Sequence, residues 1–244
     1  MTLPPLTAHH GILVYVKDTL PMDGLQFTAL HATAKLGCNG SLVVLEDKTA
    51  ATQFERVLGI QNGASILRTR SIPHVVLCTS AETCAKLSNA ATMELIQAEE
   101  LPSRIIHHLT HTKQNIVVVH LSVAEYSSAL DECFASLQKT IPLCYLGFVK
   151  ETNTNLPLAT PTIPAMFPRP KQSWQKRDGE YAIDDKIAAT LVYSFYLEEQ
   201  TRQDTLESFN EMEIVQRGGY GTMQAQVVLQ EIAFRLGYVP KYGA

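Results

Sequence analysis

The stretch Gly11–Val16 reads GILVYV, a short and almost continuous apolar run rich in β-branched residues. A strand covered on both faces has that composition, because neither of its alternating rows of side chains meets water. A loop, Lys17–Gly24, follows, and Phe27, Leu30 and Ala34 then repeat at helical spacing before Gly37 stops the turn. Leu42–Leu45 (LVVL) supplies the next strand, so the chain begins β–α–β.

The alternation continues. Ala50–Leu58 reads as a helix and Pro73–Cys78 (PHVVLC) as a strand, and Ala81–Ala98 as a helix capped by Thr79 or Ser80. Ser103–His111 is helical, Ile116–His120 (IVVVH) is a strand, Val123–Leu137 is an amphipathic helix entered from Ser122, and Pro142–Val149 is a further strand. Strands alternating with helices predict an α/β fold, a three-layer, mostly parallel sheet with helices on both faces.

After Lys150 the pattern lapses into a long loop carrying Pro157, Pro161, Pro164, Pro168 and Pro170, with an edge strand expected at Pro164–Phe167. Asp184 or Asp185 is then expected to cap a helix over Ile187–Glu199, and Met223–Leu236 to form a last helix ending at Gly237. No internal repeat and no interdomain linker stand out, so one domain over residues 1–244 is expected.

The composition is that of a globular protein, with 45% hydrophobic and 18% charged residues. A net charge of −4 argues against a nucleic-acid partner, whose phosphates need a basic face. No apolar run reaches the roughly 20 residues that cross a bilayer, and the start MTLPPLTAHHG lacks a secretory pattern, so a cytoplasmic, membrane-free protein is expected. Cys38, Cys78, Cys84, Cys133 and Cys144 are odd in number and free of CxxC spacing, which fits buried reduced thiols.

The tail Phe209–Ala244 resembles that of the archaeal-type cofactor-independent phosphoglycerate mutases of the alkaline phosphatase superfamily, through Phe209–Glu211, the turn Gly218–Gly221 and the end Tyr242–Ala244. Thr28–Leu42 is similar to that family's first helix and following strand, and Thr52–Gly59 to its next helix. The resemblance implies an alkaline-phosphatase-like fold and phosphoryl transfer by two divalent metals.

It also implies metal ligands and a nucleophile, which this chain carries incompletely. The first Asp falls at Asp18 and the nucleophile at Ala50, with Thr49 and Thr52 beside it. The Asp and His expected after His120 fall on Glu125 and Ala129, and Lys150-Glu151-Thr152 stands where the family has Asp-His. All eight histidines lie at or before His120. The expectation is a pseudoenzyme without metal or other cofactor; if it were active, Asp18, Thr49 and Glu125 would carry the reaction. A sensor for a phosphate-bearing metabolite is a third reading.

Asp18, with Asp23 and Gly24, lies just past a strand end, where open α/β sheets place ligands, although a turn Asp bonding its own backbone fits as well. His107 and His111 share a helix face, but without a third ligand such as His120 they read as solvated or core-edge histidines. Gln216–Gly221 (QRGGYG) lacks phosphate-loop spacing and reads as a structural turn. Arg169, Lys171, Trp174, Lys176 and Arg177 combine cations with the only Trp, the composition of an interface anchor suited to an acidic protein partner.

Overall fold

The computed structural model describes residues 8–17, 27–46, 51–111, 115–152, 187–199 and 203–240. Among these residues, eight strands form one sheet: β1 (His10–Lys17), β2 (Cys38–Leu45), β3 (His74–Cys78), β4 (Met93–Leu95), β5 (Ile116–Ser122), β6 (Cys144–Glu151), β7 (Ile187–Tyr196) and β8 (Gly221–Gln224). Their order is β4-β3-β5-β1-β6-β7-β2-β8, and β7 alone runs antiparallel to its neighbours.

Among the described residues, eight α-helices cover the sheet. Helices α1 (Thr28–Leu36), α5 (Leu101–Thr110), α6 (Ser128–Thr140) and α7 (Glu211–Arg217) pack on one face, where Leu30, Ile105, Phe134 and Ile214 join Val14, Val117 and Phe148 in a buried cluster. Helices α2 (Gln53–Val57), α3 (Ile66–Thr69), α4 (Ala81–Leu87) and α8 (Val228–Arg235) cover the other, where Phe54, Leu67, Leu87 and Ile232 meet Leu13, Val118 and Tyr193. The expected three layers are present. Both faces of the parallel strands are buried, which is why their sequences are continuous apolar runs.

One buried carboxylate ties two helices together. Asp131 of α6 accepts the Ala29 and Leu30 N–H groups at 2.9 and 3.1 Å, at the start of α1, and the Tyr126 hydroxyl at 2.9 Å. Phe27 has no side-chain acceptor to cap α1, so a residue a hundred positions away supplies it.

Four segments depart from the sequence reading. Ile187–Tyr196 is a strand, not a helix: Leu191, Tyr193 and Phe195 face one core and Val192 the other, so its alternation outweighs the helical spacing of Ile187, Leu191 and Phe195. It lies between β6 and β2, and both of its edges are bonded. The helix expected over Ala81–Ala98 ends at Leu87, and Met93–Leu95 becomes an edge strand on β3. The helix expected over Met223–Leu236 begins as β8, which pairs with β2 before α8 starts. Val123–Leu137 is likewise broken: a 3-10 turn, Val123–Glu125, precedes α6, and Ser127 caps α6 by accepting the Leu130 N–H at 3.2 Å.

The QRGGYG stretch is a turn, as expected. It closes α7 and enters β8; a Cβ on Gly218 would lie 2.3 Å from the Ile214 carbonyl oxygen, and Gly221 has φ +79°. The expected caps Asp184 and Asp185, the edge strand Pro164–Phe167 and the end Tyr242–Ala244 lie outside the described residues.

Candidate functional site

The carboxyl ends of the parallel strands converge on one edge, where α/β sheets place their ligands. Strand register sets what gathers there. Cys78 is opposite His120, and His120 is opposite Tyr15, so three side chains form a row across β3, β5 and β1 on the α2 face. One pleat further along, Ser122 is opposite Lys17.

The row is dry. Cys78 and Tyr15 are 0% exposed and His120 3%. The Tyr15 and His120 rings stack with centroids 5.6 Å apart and planes 8° from parallel. Phe54 of α2 closes over both, 4.8 Å from Tyr15 and 4.4 Å from His120. A capping box between Thr52 and Glu55, together with a 2.9 Å ion pair from Lys86 of α4 to Glu55, fixes α2 in that position.

Several polar groups at this edge bond to one another. Cys78 Sγ lies 3.4 Å from His120 Nδ1 and donates to the Ser80 carbonyl oxygen at 3.4 Å. The Tyr15 hydroxyl donates to Glu151 Oε1 at 2.5 Å. Glu125 Oε2 accepts the Ser122 N–H at 2.7 Å, the Ser122 hydroxyl at 2.8 Å and the Thr79 hydroxyl at 3.0 Å. On the other face, the fully buried Lys150 ammonium donates to Glu211 of α7 and, at 3.0 Å, to the Glu151 carbonyl oxygen.

Burial dominates the electrostatics. It pushes the Cys78 thiol up to about 11, and burial followed by the nearby Lys17 charge pushes the His120 imidazole down to about 4. Near pH 7 the pair is therefore a thiol beside a neutral imidazole, not the thiolate beside an imidazolium that an activated cysteine needs. Burial and then the Glu151 charge hold the Tyr15 phenol well above its ordinary value. Burial pulls Glu125 upward too, but the Ser122 and Thr79 donors outweigh it and hold that carboxyl below the usual range.

Of the residues singled out in the sequence, Glu125 stands at this edge, serving as the capping carboxylate of the Val123–Glu125 turn. Thr52 caps α2 and Ala129 is an exposed position in the first turn of α6. Asp18, Thr49, Ala50, Asp23 and Gly24 lie outside the described residues, as do Arg169, Lys171, Trp174, Lys176 and Arg177. His120 does not join His107 and His111: α5 packs on the opposite face of the sheet from the His120 ring.

The Cys78–His120–Tyr15 row was not singled out as a unit in the sequence. Its signal was present in PHVVLC, IVVVH and GILVYVK, whose ends, counted at period two, place these residues on one face.

The whole chain superposes on the PH0037 protein of Pyrococcus horikoshii with a TM-score of 0.64 at 8% identity, covering 100% of both chains. An Mg-bound variant of the alkaline phosphatase from the Antarctic bacterium TAB5 matches with a TM-score of 0.50 at 8% identity, over 98% of this chain and 100% of that one. The chain has the alkaline phosphatase fold. The lipoteichoic acid synthase LtaP of Listeria monocytogenes shares that fold, with a TM-score of 0.50 at 8% identity over 98% of this chain and 73% of LtaP. No family model matches the chain, and no curated protein matches it.

The alkaline phosphatase fold raises the question of a metal pair. Among the described residues, no three His, Cys, Asp or Glu side chains converge to hold an ion. Those at the strand ends do not fit a pair of divalent cations. Glu125 is committed to three donors, His120 is enclosed by Tyr15, Phe54 and Cys78, and at the end of β6 Glu151 accepts from Tyr15 while the Lys150 ammonium is paired with Glu211.

Proposed function

We propose that this chain is a non-catalytic protein that uses the alkaline phosphatase fold as a rigid body to hold a protein partner. One observation supports the reading above others: the polar side chains at the strand ends are bonded to one another, and the Cys78–His120 pair is uncharged near pH 7. A phosphoryl-transfer site instead turns its charges toward the ligand. The segment Arg169–Arg177, with Trp174 among four cations, is the partner-binding element of this proposal, and an acidic surface is its complement.

Two measurements test it. Purified protein with Mg²⁺, Mn²⁺ or Zn²⁺ is expected to give no turnover of p-nitrophenyl phosphate or of 3-phosphoglycerate above the metal-only control. A protein retained by the full chain is expected to be lost when residues 169–177 are replaced by a Gly/Ser linker. Turnover that disappears in Asp18→Ala would overturn the proposal. It would favour the second reading, which the shared fold supports: a phosphatase in which Asp18, Thr49 and Glu125 surround a carboxylate-held Mg²⁺.

A further inference from the structure

The C-terminal end of α5 carries a cluster that neither the core nor the strand-end site uses. His107 and His111 are one helical turn apart and exposed, with ring centroids 5.4 Å apart and planes 12° from parallel. His108, between them in sequence, is buried instead and bonds Glu94 Oε2 at 2.9 Å. Glu94 also binds Arg104 at 2.6 Å, so the guanidinium one turn before the pair is already compensated. We propose that His107 and His111 form a two-imidazole chelate for one late first-row divalent ion, with Cu²⁺ held more tightly than Zn²⁺.

Three physical arguments carry the assignment. The first is distance. An ion about 2.0–2.1 Å from a ring nitrogen sits about 3.2 Å from the ring centre, so centroids 5.4 Å apart subtend about 115° at the ion, close to a tetrahedral angle. The rings need only turn about their broad side-chain torsions, from face to face until both nitrogens point at one centre.

The second is availability. The Thr110 hydroxyl lies 2.6 Å from His111 Nδ1, which orients that ring and leaves Nε2 for the ion, as a neighbouring hydrogen bond does for a metal-bound histidine. The third is field. The pair occupies the last turn of a ten-residue helix, where unpaired carbonyl groups favour positive charge. Imidazole donors suit copper and zinc, and copper leads zinc in intrinsic affinity. Water completes the shell. The proposal does not depend on the partner-binding reading above.

The test is isothermal titration of the full chain with Cu²⁺ and with Zn²⁺, paired with electron paramagnetic resonance of the copper form. One ion is expected to bind with two nitrogen donors, and copper more tightly than zinc. His107→Gln and His111→Gln should each weaken binding by at least about tenfold and reduce the nitrogen donors to one. His108→Gln should leave the affinity within about twofold, because its ring is turned to Glu94. Binding that survives in the double variant H107Q/H111Q, for instance at His9 and His10, would overturn the assignment, as would absence of binding by the native chain.

Discussion

Removing Glu211 should damage this protein more than removing the lysine it neutralises. The Lys150 side chain is 0% exposed, whereas that of Glu211 retains 21% exposure. Among the described residues, Glu211→Ala leaves the enclosed ammonium one acceptor, the Glu151 carbonyl oxygen at 3.0 Å. Stripping one member from a buried ion pair costs about 3–5 kcal/mol. Lys150→Met leaves a carboxylate at the rim that can turn toward water, at about 1–3 kcal/mol. The double variant K150M/E211M removes both charges and should recover to within about 1–2 kcal/mol of the native chain.

Urea denaturation and thermal melts of all four proteins give the comparison. In a chain of this size each kcal/mol moves the melting temperature by about 2–4 °C, so Glu211→Ala should melt at least about 6 °C below the native protein. The order native, double variant, K150M, E211A is the signature of a closed internal pair. If E211A proves milder than K150M, the ammonium is satisfied by something other than Glu211, and the strand-end site is not the sealed network described above.

Four further outcomes follow from the same geometry. Asp131→Ala removes the acceptor of two α1 N–H groups and of the Tyr126 hydroxyl and should cost about 3 kcal/mol or more in urea denaturation, with Asp131→Asn intermediate. Burial holds the Cys78 and Cys133 thiols at about 11 and Cys144 at about 12, so a thiol reagent at pH 8 should label the partly exposed Cys84 rapidly and those three only on unfolding. Phe54→Ala should uncover the Cys78–His120 pair and speed labelling of Cys78 by tenfold or more, whereas equal rates would place the barrier elsewhere. His120 titrates near 4 when folded and about 6.5 when unfolded, so between those values the unfolded chain binds the extra proton and stability falls as pH drops from about 6.5 to about 4, by about 3 kcal/mol in all; His120→Leu should flatten that part of the profile.

The fold was legible where the chain is parallel and doubly covered. GILVYV, PHVVLC and IVVVH are almost continuously apolar because helices lie on both sides of them, and their β-branched residues and short length point to strands. It was illegible where two periodicities coincide. Ile187, Leu191 and Phe195 are four apart and satisfy a helix, yet four is also an even number, so Leu191 and Phe195 share one face of a strand as well. The short edge strands β4 and β8, of three and four residues, are set by the neighbours they pair with and carry too little pattern of their own.

The site was less legible than the fold. Glu125 was visible only through the family resemblance, which puts an expected Asp there, and its partners Ser122 and Thr79 depend on how β5 meets the loop after β3. Tyr15 and Glu151 are 136 positions apart, and only the β1–β6 register brings them together.

An active site is recognisable by groups left unsatisfied until a ligand arrives, because electrostatic catalysis relies on dipoles fixed in advance toward charge that is not yet there. One such group lies on the helix that covers the strand-end row: Gln53 Oε1, next to Phe54 on α2, is buried without a hydrogen-bond partner. Among the described residues, the Ser41 and Thr222 hydroxyls are buried without a partner, directly opposite each other on β2 and β8 at the far side of the sheet. The Tyr15, Glu125 and Glu151 carboxylates and phenol, by contrast, are paired at 3.0 Å or less. A ligand entering there would first have to break bonds the protein makes with itself, at about 1–3 kcal/mol for each group left unpaired. That cost opposes the entry of a ligand between these side chains.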